Sequence, residues 1–214
     1  MTASLRFHPP CLATSTKAPP TGSQWVHQPK LDGYRLQAVK EGRTVRLYTK
    51  GGNDWANKLT ALADALAGFP ARSAVLDCEM VMADASGLPD FTLLHKTKGR
   101  HRGAGLHLYA FDILHLNGKD LRDLPLIERA RRLAKLLSRS TVPVLHLVPS
   151  FPDGGALLRS CEQFSLEGIV SKRADRPYRS GPSRDWLKSN CSGWKAANQE
   201  RWRMFQSSLS SDKS

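Results

Sequence analysis

No stretch of the 214 residues approaches the roughly 18 consecutive apolar residues that a membrane helix needs. A membrane-spanning role is therefore not expected. Met1 to Thr21 also lack the apolar core of a secretory signal. Cysteine is scarce: Cys11, Cys78, Cys161 and Cys191 stand far apart and form no C-x-x-C pair. That spacing speaks against a sequence-local zinc site and suits a reducing cytosol. Acidic residues are the other shortage. Nineteen Asp and Glu face 32 Lys and Arg, for a formal charge of +13. Such an excess favours a polyanionic partner, nucleic acid first, and serves nucleotide phosphates as well.

What remains is the composition of a soluble globular chain, 40% hydrophobic and 24% charged, long enough to bury a sizeable core. There is no internal repeat. Residues 1–24, with Pro9, Pro10, Pro19 and Pro20 among Ser, Thr and Gly, are expected to form a flexible arm. Residues 25–191 carry the periodic elements, and 192–214 form a polar tail containing Trp202 and Phe205. Trp25–Pro29 and Tyr34–Lys40 are expected to pair as a hairpin about the Asp32-Gly33 turn. Arg43–Tyr48 returns after Glu41-Gly42. Asn53 or Asp54 is expected to cap a helix running to about Ala67.

Ala74–Met82 predicts a strand with Leu76, Cys78 and Met80 on one face and Asp77 and Glu79 on the other. Residues 84–105 read as a loop, whose basic run Lys96–Gly103 is either a nucleic-acid contact or a solvated segment. Leu106–Leu114 predicts a strand followed by the Asn117-Gly118 turn. Pro125 opens an amphipathic helix to about Leu137. Val142–Val148 is a further strand, and Asp153 caps a helix through Cys161. Glu167–Arg173 is a short strand bracketed by charge. Arg176–Arg184 is a basic loop, and Trp186–Lys188 resumes a strand.

Four segments repeat one arrangement, an ionisable residue at the edge of a short apolar strand. They are Lys30-Leu31-Asp32-Gly33-Tyr34-Arg35, Asp77-Cys78-Glu79, Glu167–Lys172 and Trp186-Leu187-Lys188. A lysine attacks as a nucleophile only after its ammonium loses a proton, which needs desolvation or nearby positive charge. Alone, a residue such as Lys30 is most often solvent-exposed. In this company the lysines and arginine can bind a triphosphate, and the carboxylates can hold Mg²⁺ or a ribose hydroxyl. Tyr109-Ala110-Phe111-Asp112 adds an aromatic able to stack on a base.

These segments, in this order, resemble the signatures of ATP-dependent DNA ligases, especially the ligase module of bacterial end-joining ligases. The resemblance spans about residues 25–191 and includes Gly118–Pro125 and Pro177–Gly181 between the motifs. It implies an α+β nucleotidyltransferase (adenylation) domain of two mainly antiparallel sheets flanked by helices, with ATP between them. It further implies that Lys30 forms a covalent lysyl–AMP. Gln28, Leu31, Arg35, Glu79, Phe111, Lys172 and Lys188 would bind the nucleotide. Of these, Arg35 would lie near the ribose and phosphates, Glu79 at the ribose hydroxyls, Phe111 on the adenine and Lys188 at the α-phosphate. Glu167 would help bind Mg²⁺ or Mn²⁺.

The implied partners are nicked or broken double-stranded DNA and end-joining proteins, in the bacterial cytosol or nucleoid. Two positions depart from the pattern: Gln28 stands where these ligases carry a glutamate, and Asn190 where they carry a second lysine. An OB-fold domain is expected to be absent from residues 192–214, so that a separate chain would supply it. Non-catalytic binding of DNA or a partner is the alternative function, with an RNA ligase or capping-type guanylyltransferase ranked behind it.

Overall fold

The computed structural model describes residues 5–82 and 105–194. The loop with Lys96–Gly103, and Trp202 and Phe205, lie outside the described residues.

The strands fall into two sheets. The smaller has the order β1-β10-β9-β2, built from β1 (Cys11–Ser15), β2 (Trp25–Lys30), β9 (Gly168–Arg173) and β10 (Gly181–Asn190). Its pairs are antiparallel except β1 with β10, which is parallel. The larger sheet has the order β4-β3-β5-β6-β7, from β3 (Tyr34–Glu41), β4 (Thr44–Thr49), β5 (Ser73–Met82), β6 (Leu106–Leu116) and β7 (Lys119–Asp120). A short β8 (Leu145–Leu147) runs parallel to β6. Helices α1 (Thr60–Ala67), α2 (Leu126–Leu137) and α3 (Gly154–Gln163) cover the outer faces.

The layering follows from period-two alternation. Leu76, Cys78 and Met80 on one face of β5 pack with Leu36, Leu47, Leu108 and Ile113 against Leu62 and Leu66 of α1 and Leu133 of α2. The opposite face carries Val75, Asp77 and Glu79. Val75 joins Val39 and Leu114 in a second cluster with Cys11, Tyr178 and Trp186, and this cluster glues the two sheets together. On the far side of the smaller sheet, Leu157 and Cys161 of α3 cover Ile169. Burying each such Leu or Ile contributes about 1.5–3 kcal/mol.

Helix α2 is fixed by charge as well. Arg129 donates twice to Asp112 at 2.8 Å, both side chains fully buried. The free N–H groups of its first turn, on Leu126 and Ile127, donate to the carbonyls of Arg176 and Ala174. Among the described residues no helix is long and apolar enough to cross a membrane.

Several expectations hold. Helix α2 starts just after Pro125, and Asp153 caps α3 by accepting from Ala156 N at 2.9 Å. The Asn117-Gly118 turn has both residues at positive φ, 47° and 86°, as a tight hairpin requires.

Four expectations are corrected. Trp25–Pro29 and Tyr34–Lys40 do not form a hairpin: β2 pairs with β9 and β3 with β4 and β5, so the chain crosses between sheets at Leu31–Gly33. Residues 11–15 of the expected arm form β1, because β10 offers an edge that no local pattern announces. Helix α1 begins only at Thr60. Asp54 is used elsewhere, accepting from Leu47 N and Ala56 N in the preceding turn. Finally, β10 starts at Gly181, so the end of the expected basic loop is strand, held by pairing with β1.

Candidate active site between the sheets

A cleft of about 850 Å³ opens between the two sheets. Its walls gather Gln28, Lys30, Leu31, Arg35, Glu79, Phe111, Lys172 and Lys188, eight of the nine residues singled out in the sequence. The ninth, Glu167, reaches the same place through Lys30, whose Nζ donates to its carboxylate.

Strand pairing explains the convergence. Lys30 ends β2 opposite Gly168, the residue after Glu167, so pairing of β2 with β9 sets the lysine beside the carboxylate. On the other side Gly168 pairs with Asn190 of β10. Three strands come so close there that a Cβ on Gly168 would stand 2.2 Å from Ser189 O, and its φ of 151° also favours glycine. In the larger sheet Arg35 of β3 pairs with Glu79 of β5, which faces Tyr109 of β6.

Arg35 is tightly held. Its guanidinium donates to Asp77 at 2.9 and 2.6 Å and to Cys11 O at 2.7 Å. Asp77 is buried and also accepts from Tyr178 Oη at 2.7 Å, while Tyr178 Oη accepts from Cys11 N at 2.9 Å. The carboxylate on the polar face of β5 is thus no solvated surface group. It positions the arginine, and β1 closes the network.

Phe111 meets Trp186 edge-on at 6.1 Å, and the Arg35 guanidinium carbon lies 5.1 Å from the Phe111 ring centre. Lys172, 2% exposed, lies 4.4 Å from the Phe111 ring centre and 4.0 Å from that of Trp186. Gln28 is buried, and its Nε2 donates to Ser150 Oγ at 3.1 Å. Its Oε1 is buried without a hydrogen-bond partner among the described residues.

Burial dominates the electrostatics. It pushes the Glu79 carboxyl up to about 8, against the attraction of Lys30 and Arg35. Burial also raises Glu167, and the adjoining Lys30 opposes the shift. It drops the Lys172 ammonium to about 7.

Sequence reasoning gave no role to Trp186 or Tyr178 and missed Trp55, the Thr49–Gly51 turn and the β1 residues Leu12–Thr14, all of which line or brace the cleft. Trp186 carried a signal, standing two residues before Lys188 and hence on the same strand face. The β1 residues carried none, since their partner strand lies about 170 positions away.

Known proteins resemble this chain in sequence and in fold. A family model for the ATP-dependent DNA ligase domain matches residues 10–189. A multifunctional non-homologous end joining protein LigD of Pseudomonas aeruginosa is 40% identical over 183 residues, 85% of this chain and 22% of that protein. A solved mycobacterial DNA ligase D complexed with ATP and MES is similar with a TM-score of 0.70 and 32% identity, over 85% of this chain and 59% of that one. The ligase domain of Mycobacterium tuberculosis LigD gives a TM-score of 0.70 and 30% identity, over 85% and 60%. The chain spans only 22% to 26% of the length of such curated relatives. A cleft between two sheets with Lys30 in its wall, and a family match over most of the chain, lead to one statement: this chain belongs to the ATP-dependent DNA ligase domain family.

Proposed function

We propose that this chain carries out the adenylation chemistry of DNA strand joining, with Lys30 as nucleophile. The observation that carries this reading is the contact of Lys30 Nζ with the Glu167 carboxylate in the wall of a nucleotide-sized cleft. The Glu167 carboxylate fixes the Lys30 side chain at the cleft wall. The Lys30 ammonium gives up its proton to solvent and exposes its lone pair. The Nζ–phosphorus bond to the α-phosphate of ATP forms as the α–β phosphoanhydride bond breaks, and the bonding pair leaves on pyrophosphate.

Phosphoryl transfer relies on positioning and charge neutralisation. Arg35, Lys172 and Lys188 supply the positive charge, and Arg35 is pre-set by Asp77. Phe111 offers a ring face to the base, and the unpaired Gln28 Oε1 offers an acceptor for its amine. Glu79 meets the ribose hydroxyls.

Among the described residues no three His, Cys, Asp or Glu gather as a metal cage. One carboxylate with phosphate oxygens is nonetheless a donor set that Mg²⁺ accepts. Glu167 would hold Mg²⁺ or Mn²⁺ there, and the ion would neutralise phosphate charge. An oxygen of the 5′-phosphate of nicked or broken duplex DNA then bonds to the AMP phosphorus as the Nζ–phosphorus bond breaks and the Lys30 amine leaves, a repair substrate that suits the charge of +13. End-joining proteins are the partners this reading implies.

Incubation with α-labelled ATP and Mg²⁺ tests it. Wild type becomes covalently labelled, Lys30→Ala does not, and unlabelled ATP competes where GTP does not. Equal labelling of both proteins would falsify the proposal.

A further inference from the structure

Five ionisable side chains interact around Lys172, of which it and Arg35 line the cleft, and their charges do not balance. Asp77 is taken by Arg35 and Asp112 by Arg129, each through two hydrogen bonds. Lys172 is left over. It is 2% exposed, and among the described residues its one hydrogen bond runs to Phe111 O at 3.3 Å. Two aromatic rings flank its Nζ. The groups facing it are Asp112 on β6 and Asp77 on β5, which favour its proton, Arg35 on β3 and Arg129 on α2, which oppose it, and the Cys11 thiol on β1, which burial pushes up to about 11. As an ammonium it would give this buried cluster one uncompensated positive charge, which is costly. A triphosphate in the cleft is the counter-ion that the cluster lacks.

We infer that Lys172 is a neutral amine in the nucleotide-free protein and takes a proton from solvent when the triphosphate binds, so that nucleotide binding is coupled to proton uptake. Burial of the amine points the same way, lowering its proton affinity to about 7. The inference rests on the adenylation reading. It adds a pH dependence to nucleotide affinity that Lys30 does not control.

The test is titration calorimetry with α,β-methylene-ATP, which lacks the bond that Lys30 would break, at about pH 8 in phosphate and in Tris. The heats differ with buffer ionisation enthalpy, corresponding to uptake of about one proton in wild type. Between about pH 8 and pH 9 affinity falls by roughly tenfold. Lys172→Met binds without the buffer dependence. So does Lys172→Arg, whose side chain stays charged at all working pH values; it decides the matter if the methionine variant does not fold. Buffer-independent heat in wild type, or uptake that persists in either variant, overturns the inference. If that happens while Lys30 still accepts label from ATP, only the proton linkage fails. If wild type binds no nucleotide, both readings fail.

Discussion

Glu79 and Lys172 show what one cleft does to opposite charges. Burial lifts the carboxyl to about 8 and drops the amine to about 7, in each case because the charged form loses water. For Glu79 this has a stability consequence. Its ordinary value is 4.5, so between about 4.5 and 8 the folded chain keeps a proton that the unfolded chain has released. Stability from this group therefore falls as pH rises through that window and levels off above it. Glu79→Gln cannot ionise and escapes the loss. Its thermal midpoint relative to wild type should rise from pH 5 to pH 9 in the nucleotide-free protein; a constant difference would refute the assignment. At this scale the sequence was informative. Lys30, Glu79 and Lys188 stood out by type and spacing, whereas the burial that tunes Glu79 and Lys172 depends on what the other sheet lays over them.

Among the elements, the link from β2 to β3 is where local reading and structure part most clearly. Asp32-Gly33 has the composition of a hairpin turn, yet it serves a crossing between sheets. Gly33 is required for a different reason: a Cβ there would lie 2.2 Å from Met80 O of β5. Gly33→Ala must push β5 away or lift the segment carrying Lys30. We expect a loss of about 1–3 kcal/mol in urea unfolding, as for overpacking elsewhere, with slower self-adenylation. A variant with wild-type stability and rate would show that the close approach is not needed. The delayed start of α1 has the same kind of cause, because Asp54 gains more by bonding Leu47 N and Ala56 N in the turn than by capping a helix. The Asp153 cap of α3, where nothing competes, was legible from sequence.

At the scale of the whole molecule, two sheets must hold a polar cleft open while sharing an apolar seam. The Asp112–Arg129 pair anchors α2 against the larger sheet, and neither side chain touches water. Removing one partner leaves a buried charge unpaired. Arg129→Met should cost about 3–5 kcal/mol, read as a lower urea midpoint; a loss under about 1 kcal/mol would mean that Asp112 finds another partner, Lys172 or water, instead. The charge of +13 acts at the same scale. If the domain holds duplex DNA, log affinity should fall linearly with log salt, by about 0.9 for each phosphate neutralised. Fluorescence anisotropy with a nicked duplex measures it, and a flat response would exclude backbone contact as the source of binding.

The sequence by itself determined which residues carry charge and which alternate as strands, because side-chain period and turn chemistry are local. Lys30, Arg35, Asp77, Glu79, Glu167 and Lys188 could be named from that pattern, and α2 and α3 from theirs. Tertiary structure alone decided which strands are neighbours. It put β1 beside β10, sent β2 and β3 to different sheets, and so faced Lys30 with Glu167 and left Lys172 between two rings, without an ion pair among the described residues. These outcomes rest on long-range pairing and on exclusion of water, and neither is written in any window of neighbouring residues.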